Sequence, residues 1–238
     1  RRLAVGLGIL ATVAIAWLMQ LVLKKIPVLI FSLEMTLEDI VMSLAQVILE
    51  KNDFKIGEND IGTFVDLTRD MPVYIVEHDE RMMQDEMIAK TIGYAQEKFG
   101  VRVVLIDHLD YIEKTNVAAW KTQDIIIGDT MRLLCRAAIS SKVTVMLIVH
   151  PRKLGVKGVE SREIGMDELK GSSSIKQESS AVFSIFRFDD DQTLLRVRYQ
   201  KIRARGFSAN VGGCIHFRYL FERSRFIEQS PSLERPKE

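Results

Sequence analysis

The stretch Val101-Arg102-Val103-Val104-Leu105-Ile106-Asp107-His108 decides the fold of this chain. Its apolar and mostly β-branched residues are typical of a short strand that is buried on both faces, as in a parallel sheet. A carboxylate is costly to bury without a partner, so the strand is predicted to reach solvent at Asp107, its carboxyl end. Ligands of open α/β sheets bind just outside the carboxyl ends of the strands, which makes Asp107 a candidate functional residue.

Two further segments have the same design. Residues 27–33, PVLIFSL, precede Glu34, and residues 143–149, VTVMLIV, precede His150. If the three strands are parallel neighbours, Glu34, Asp107 and His150 lie at one edge of one sheet; the alternative is that each only marks where a strand meets water. Strands alternate with amphipathic helical segments along most of the chain. This pattern predicts an α/β fold, with a mainly parallel sheet flanked by helices and antiparallel strands near the C-terminus.

The composition is that of an ordinary globular protein. The chain has 238 residues, of which 47% are hydrophobic and 27% charged, enough for one large core. We predict one domain over residues 1–230 and a tail over residues 231–238. The net charge of +1 excludes a global basic field, so any nucleic-acid binding requires a local patch. Cys135 and Cys214 lack a metal-binding spacing and fit a reducing compartment.

Residues 3–23, LAVGLGILATVAIAWLMQLVL, form the least ordinary segment. They carry no charge and are long enough to be a membrane-span candidate. The alternative is a short strand over residues 3–6, a turn at Gly8, and a buried helix over about residues 9–24. Only three residues separate this segment from the strand that begins at Pro27, and a span would press that strand against the membrane surface. The spacing therefore favours the buried helix. Arg1 in place of Met suggests a fragment or a processed chain.

Five segments, in order, resemble the motifs of the DnaB-like replicative helicases: PVLIFSLEM, VVLIDHLDYI, VTVMLIVHPRK, LKGSSSIKQESSAVFSIFR and YQKIRARG. The HPRK element is particularly similar to bacteriophage ring helicases and to their mitochondrial relative Twinkle. The resemblance implies a RecA-like P-loop NTPase fold, ATP and Mg²⁺ as cofactors, and a homo-hexamer around single-stranded DNA. It also implies a primase or a helicase loader as partner candidates. The cytoplasm of a bacterial or phage-infected cell is the expected location, with an organelle as the alternative.

The resemblance assigns roles to the three residues at the predicted sheet edge. Glu34 matches the carboxylate that activates the attacking water, and Asp107 matches the Walker B carboxylate that holds Mg²⁺ through water. His150 matches a sensor of the γ-phosphate, although a hydrogen-bonded histidine at a strand end is the plainer interpretation. Phosphoryl transfer needs a positioned water, a metal ion and cations on the developing charge, so these residue types suit that chemistry.

Further roles fall in the C-terminal half. By resemblance, Gln177 links the nucleotide state to a DNA-binding loop, and Lys201 and Arg203 reach into the neighbouring subunit's site, with Arg203 as the arginine finger. Without the resemblance, Gln177 is as well explained by local capping, and the basic pair by a solvated turn. The DNA-binding loop corresponds to residues 151–170, where acidic residues offset the basic ones. Its candidate DNA contacts are Arg152, Lys153 and Lys157.

The family's phosphate loop, GxxxxGK[ST], should lie just before Thr12, and here the pattern fails. Residues 4–12 read AVGLGILAT, with no lysine. The remaining candidate nucleotide-binding residues are Gly6, Gly8 and Thr12. Backbone N–H groups of the two glycines could meet a phosphate at a helix N-terminus, but they cannot replace the ammonium on the phosphates or the hydroxyl on Mg²⁺.

Three explanations of this failure stay open. The chain is a degenerate ATPase that kept its ring and DNA surfaces, its N-terminal sequence is damaged, or residues 3–23 anchor a diverged domain in a membrane. The leading prediction is the ATP-dependent motor domain of a hexameric replicative DNA helicase that translocates on single-stranded DNA. The alternative is a catalytically silent RecA-like subunit that binds DNA or acts as a scaffold. A membrane-anchored nucleotide-binding protein is the third hypothesis.

Overall fold

The parallel sheet predicted from the sequence is the centre of the molecule. The computed structural model describes residues 2–33, 35–52, 55–76, 84–115, 121–150, 172–188, 191, 193–203 and 212–229. Four parallel strands are joined in the order β2-β1-β3-β4. They are β1 (Val28–Ser32), β2 (Val73–Val76), β3 (Val103–Asp107) and β4 (Thr144–Leu147). Residues 101–108 therefore contain an internal strand of this sheet, β3.

The register brings the carboxyl ends of three strands to one edge. Ser32 of β1 lies opposite Asp107 of β3, and Ile106 of β3 lies opposite Leu147 of β4. All five residues of β1 and all five of β3 are buried, as expected for strands covered on both faces. The prediction that these three strands share an edge is confirmed.

Helices cover both faces of the sheet. Their bounds are α1 (Arg2–Leu23), α2 (Leu37–Leu49), α3 (Glu58–Thr68), α4 (Asp85–Phe99), α5 (Leu109–Thr115), α6 (Gln123–Ser140) and α7 (Ser172–Glu178). A capping box between Thr36 and Asp39 begins α2, and Gly100, at φ +68°, ends α4 in the left-handed conformation that glycine adopts freely. Residues 51–62 do not form the continuous loop that their polarity suggests. The backbone N–H of Gly57 donates to the Asp60 carboxylate at 3.0 Å and begins α3.

The N-terminal segment differs from its expected form. Residues 3–6 are not a strand and Gly8 is not a turn, because α1 runs without a break from Arg2 to Leu23. The segment contains no proline and no polar turn residue, and an isolated glycine lowers helix stability by only about 1 kcal/mol. The expected buried helix is present, with Ile15, Leu18, Met19 and Val22 each at most 2% exposed. Among the residues searched for a membrane span, no helix is both long and apolar enough to cross a bilayer.

The core has two layers, one on each face of the parallel sheet. Buried residues of α1 and α2 pack with Val28, Ile30, Val103 and Leu105 on one face. The alternate strand residues, including Phe31 and Ile106, point to the other face and pack with α4 and α6. This alternation follows from the two-residue period of a strand.

The C-terminal part forms a separate antiparallel sheet in the order β5-β6-β7-β8, as the sequence predicts. Its strands are β5 (Ala181–Arg187), β6 (Leu194–Ile202), β7 (Cys214–Leu220) and β8 (Arg225–Gln229). Within the described residues no ladder joins β4 to β5. Both strands line a largely apolar cavity of about 1580 Å³ that α1 and β6 also border. The hydroxyl of Ser224 donates to the Lys51 carbonyl at 3.1 Å and ties this sheet to the end of α2.

Candidate functional site

The carboxyl edge of the parallel sheet gathers the titratable side chains. Asp107 ends β3 and His108 follows it through a cis peptide bond; each residue is only 6% exposed, so the prediction that the strand reaches solvent at Asp107 is wrong. The backbone N–H of Leu33 donates to the Asp107 carbonyl at 2.8 Å, which extends the pairing of β1 and β3 past Ser32. A carboxylate and an imidazole are thus held at the end of an internal strand, where ligands of such sheets bind.

His108 lies between two carboxylates. Its Nδ1 is 3.9 Å from Oδ1 of Asp107, and its Nε2 is 3.8 Å from Oδ2 of Asp110, in the first turn of α5. The ring also makes an edge contact with Tyr111, with centroids 5.1 Å apart. Each nitrogen therefore faces a different acidic side chain, and packing on the aromatic ring fixes the plane of the imidazole.

His150 reaches the same point from β4. The backbone N–H of Ile148 donates to the Ile106 carbonyl, and that of Leu109 donates to the Ile148 carbonyl, each at 3.0 Å. These hydrogen bonds continue the pairing of β3 and β4 beyond the ends of the two strands. The rings of His108 and His150 meet edge to face, with centroids 4.3 Å apart. His150 Nε2 is buried and has no hydrogen-bond partner among the described residues. One ligand atom from each of Asp107, His108 and His150 lies within 4.8 Å of the others, so the cluster can converge on a cation.

The remaining residues predicted for the nucleotide site are Glu34, Gly6, Gly8 and Thr12. Glu34 lies outside the described residues, and its role stays a prediction. Gly6, Gly8 and Thr12 lie inside α1. In a helix that begins at Arg2, the N–H groups of both glycines donate to carbonyls four residues earlier, so they are not free for a phosphate. A nucleotide-binding role for these three residues stays a prediction. That role requires a phosphate loop, and these residues are in a helix.

Gln177 and the predicted basic pair lie at one end of α7. Gln177 is exposed on this helix, and Arg203 is exposed just after β6. The Lys201 ammonium donates to the Ser179 carbonyl at 2.6 Å and also to the Lys176 carbonyl. Burial, and then the nearby Arg203 charge, lowers the pKa of Lys201. Lys201 therefore satisfies carbonyls at the C-terminal end of α7, and its predicted contact with a neighbouring subunit stays a prediction.

The short helix α7 packs directly behind the carboxyl edge. Ile175 is 4% exposed and shares a buried cluster with Leu109, which follows His108. Val149, which precedes His150, packs against the same cluster. Gly128 of α6 allows close approach, because a Cβ at this position would lie 3.0 Å from Ser174 Oγ. The helix that carries Gln177 is thus in van der Waals contact with residues adjacent to both histidines.

The predicted DNA contacts Arg152, Lys153 and Lys157 lie outside the described residues, and their role stays a prediction. His108 and Asp110 were not among the site residues predicted from the sequence. A signal existed, since both follow Asp107 within three positions, but nothing in the sequence states which way these side chains point.

Comparisons with known proteins bear on the fold and the family of this chain. The profile of the DnaB-like helicase C terminal domain matches residues 2–205. The replicative DNA helicase DnaB of Buchnera aphidicola subsp. Baizongia pistaciae (strain Bp) is 25% identical over 171 residues, 68% of this chain and 36% of that protein. The chain thus spans little more than a third of this curated relative.

Two solved structures share the fold. One is an ATPase domain, with a TM-score of 0.70 at 18% identity, over 88% of this chain and 76% of that one. The other is a DnaB-like replicative helicase studied for its interactions with primase, with a TM-score of 0.69 at 16% identity, over 87% of this chain and 52% of that one. The RecA-like α/β fold expected from the motifs is confirmed. The match over residues 2–205 shows that this chain belongs to the DnaB-like helicase C-terminal domain family.

Proposed function

We propose that this chain is the ATP-dependent motor domain of a hexameric replicative DNA helicase that translocates on single-stranded DNA, and that its phosphate loop is degenerate. The observation that carries the proposal is the position of Asp107 and His150 at the carboxyl ends of neighbouring strands in a member of this family. A nucleotide at this edge would have a carboxylate and an imidazole beside its terminal phosphates. Those are the positions that metal binding and γ-phosphate sensing require.

The donor set at Asp107 fits Mg²⁺. This ion keeps several waters and is usually held by one or two carboxylates together with substrate phosphates, so a single carboxylate at the strand end is sufficient. When bound with ATP, Mg²⁺ neutralises charge on the phosphates. Glu34 is proposed to position the attacking water, and His150, whose Nε2 lacks a partner among the described residues, to contact the γ-phosphate.

The proposed route from nucleotide to DNA runs through α7. Ile175 of this helix packs with residues next to His108 and His150, and Lys201 is bonded to its C-terminal carbonyls. A shift at the nucleotide edge would therefore reach Gln177 and, through it, the loop over residues 151–170. Arg203 is exposed, as a residue that reaches a neighbouring subunit must be. We propose a ring in the cytoplasm, with a primase or a helicase loader as partner.

A second candidate function is a catalytically silent subunit that keeps the ring and DNA surfaces. The observation that favours it is the unbroken α1, which covers the residues just before Thr12 where the family's phosphate loop is expected. A preorganised contact to developing charge is worth about 2.7–4 kcal/mol, so loss of the loop lysine alone would slow hydrolysis about 10²- to 10³-fold. The two functions share a prediction about DNA binding and differ in whether a restored phosphate loop restores ATP hydrolysis.

DNA binding is the experiment that tests what both functions share. Affinity for a fluorescent single-stranded oligonucleotide should fall as salt rises, because neutralised phosphates release counterions. Replacing Arg152, Lys153 and Lys157 together by Ala should weaken binding and flatten the slope of log K against log salt by about 0.7 per lost contact.

The matched control is a triple Ala variant of Lys24, Lys90 and Lys98, three exposed lysines elsewhere on the chain. It removes the same charge from other surfaces and should leave the slope nearly unchanged. Equal slopes for both triple variants would remove the loop over residues 151–170 from the DNA site. A salt-independent affinity of the parent chain would exclude phosphate contacts altogether.

A further inference from the structure

We propose that Asp107, His108 and His150 form a binding site for one transition-metal ion of the zinc class. Two imidazole nitrogens and one carboxylate oxygen are the donor set of zinc sites that leave a fourth position open. Mg²⁺ prefers oxygen ligands, so the two histidines distinguish this site from the nucleotide-linked Mg²⁺ position at Asp107. In the described part of the chain, no other three His, Cys, Asp or Glu side chains converge in this way.

The distances allow closure around an ion. Bonds of about 2.0–2.2 Å in a tetrahedral site place the ligand atoms about 3.3–3.6 Å apart. His108 Nδ1 and Asp107 Oδ1 are already 3.9 Å apart, and the whole set lies within 4.8 Å. Closure by about 1.5 Å at most is within reach of small side-chain rotations, since rotamer wells are broad for the terminal torsions of His and Asp. The paired strands beneath fix the backbone positions.

Asp110 supplies the supporting contact that metal-bound histidines usually have. With Nδ1 of His108 on the ion, its Nε2–H faces Oδ2 of Asp110 at 3.8 Å. A carboxylate behind a ligating imidazole orients the ring and raises its basicity, and its loss usually weakens metal binding 10- to 100-fold. The two carboxylates around His108 therefore have different tasks: Asp107 binds the ion and Asp110 positions the ring.

Burial also favours an ion at this point. The side chains of Asp107 and His108 are 9% and 7% exposed, and His150 Nε2 is buried without a hydrogen-bond partner among the described residues. A buried polar atom without a partner carries a desolvation cost that a coordinate bond would remove. Affinity should fall at low pH, because an imidazole must be neutral to bind a metal.

One consequence rests on the proposed function. An ion held directly by Asp107 and His150 withdraws both groups from Mg²⁺ and nucleotide, so zinc-class ions should compete with Mg²⁺–ATP binding. The binding site itself does not depend on the proposed function, and the following test uses neither nucleotide nor DNA.

The experiment is a titration of the tag-free, metal-free chain with Co²⁺, followed by visible absorption, with displacement by Zn²⁺. We expect one Co²⁺ to bind per chain, with the stronger visible absorption that Co²⁺ shows in a low-symmetry site. Zn²⁺ should displace the Co²⁺ fully, and excess Mg²⁺ should not displace it. His150→Ala should weaken binding at least tenfold, and Asp110→Asn should weaken it 10- to 100-fold. Each variant is compared with the parent by far-UV circular dichroism, so that loss of fold is not mistaken for loss of a ligand.

The control is His216→Ala, because His216 lies on β7 and accepts a hydrogen bond from Arg196 at 2.9 Å. This variant should bind like the parent chain. The proposal is overturned if Co²⁺ does not bind saturably, if Mg²⁺ displaces it, or if folded His150→Ala binds as tightly as His216→Ala. Asp110→Asn provides a second test that leaves all three ligands in place, and unchanged affinity of this variant would contradict the supporting role of Asp110.

Discussion

The predicted nucleotide site has two halves, one at the carboxyl edge of the parallel sheet and one in helix α1. The first half has the predicted arrangement in the structure, and the second does not. At the edge, Asp107 and His150 lie at the ends of adjacent strands, as predicted, with His108 between them. In α1, the region aligned with the phosphate loop is an unbroken helix from Arg2 to Leu23. The edge thus retains groups suited to a metal ion and a phosphate, whereas the helix lacks the loop that would hold that phosphate.

The difference shows which local patterns determine backbone shape. A charged residue after a buried apolar strand is expected at the end of that strand, where other polar groups can meet it, because burial without a partner is costly. A glycine in an apolar segment has no such constraint, because it lowers helix stability by only about 1 kcal/mol. Burial of Leu18 and its neighbours against the sheet outweighs that cost. A phosphate loop needs the glycines, the lysine and the hydroxyl residue of GxxxxGK[ST] at set positions, and α1 does not contain this set.

The largest expected effect concerns the packing of α1. Leu18 is 1% exposed, and truncating a buried leucine to alanine usually costs about 2–5 kcal/mol, so Leu18→Ala should lower the free energy of unfolding by that amount. Leu23, 60% exposed on the same helix, is the control, and Leu23→Ala should change stability by no more than about 0.5 kcal/mol. Urea unfolding measures both. Equal effects of the two variants would show that α1 is not part of the core.

A smaller effect tests the support behind the carboxyl edge. A Cβ at Gly128 would lie 3.0 Å from Ser174 Oγ, whereas a Cβ at Gly93 would meet Ser141 Oγ at an ordinary 3.7 Å. Gly→Ala in a helix gains about 1 kcal/mol, but overpacking costs about 1–3 kcal/mol. Gly93→Ala should therefore raise the thermal midpoint, and Gly128→Ala should be less stable than Gly93→Ala by about 1 kcal/mol or more. If the two variants are equally stable, α6 and α7 are not closely packed.

The smallest effect uses a histidine far from the carboxyl edge as a reference. Burial, and then the Arg196 charge, lowers the pKa of His216 from its usual 6.5. The folded state therefore favours neutral His216, so its contribution to stability is present above pH 6.5 and is lost as the pH falls through the lowered pKa. Unfolding of the parent chain and of His216→Gln, measured from pH 7.5 to about 5, should show a flatter acid limb for the variant. Superimposable curves would contradict the pKa shift.

Much of the fold was predictable from local patterns. Apolar runs predicted three strands of the parallel sheet, β1, β3 and β4, since each run depends only on its own residues. The cluster at the edge was harder, because contact between His108 and His150 depends on the relative register of β3 and β4, which no single segment encodes. The helix beginning at Glu58 was missed because its cap, the Asp60 carboxylate on Gly57, looks like part of a polar loop. The roles of Glu34 and of the loop over residues 151–170 are still predictions.

Phosphate release from Mg²⁺–ATP, with and without single-stranded DNA, is the most direct test of whether loss of the phosphate loop silences this chain. The unmodified chain should hydrolyse ATP at the background rate. A variant with a GxxxxGK[ST] loop grafted between Val5 and Thr12 should show DNA-stimulated ATP hydrolysis that is about 10²- to 10³-fold faster. Glu34→Gln in the grafted chain should abolish that gain. A folded graft that stays inactive would favour the silent subunit. Robust DNA-stimulated turnover by the unmodified chain would contradict the account, because it would require a phosphate site built from other residues.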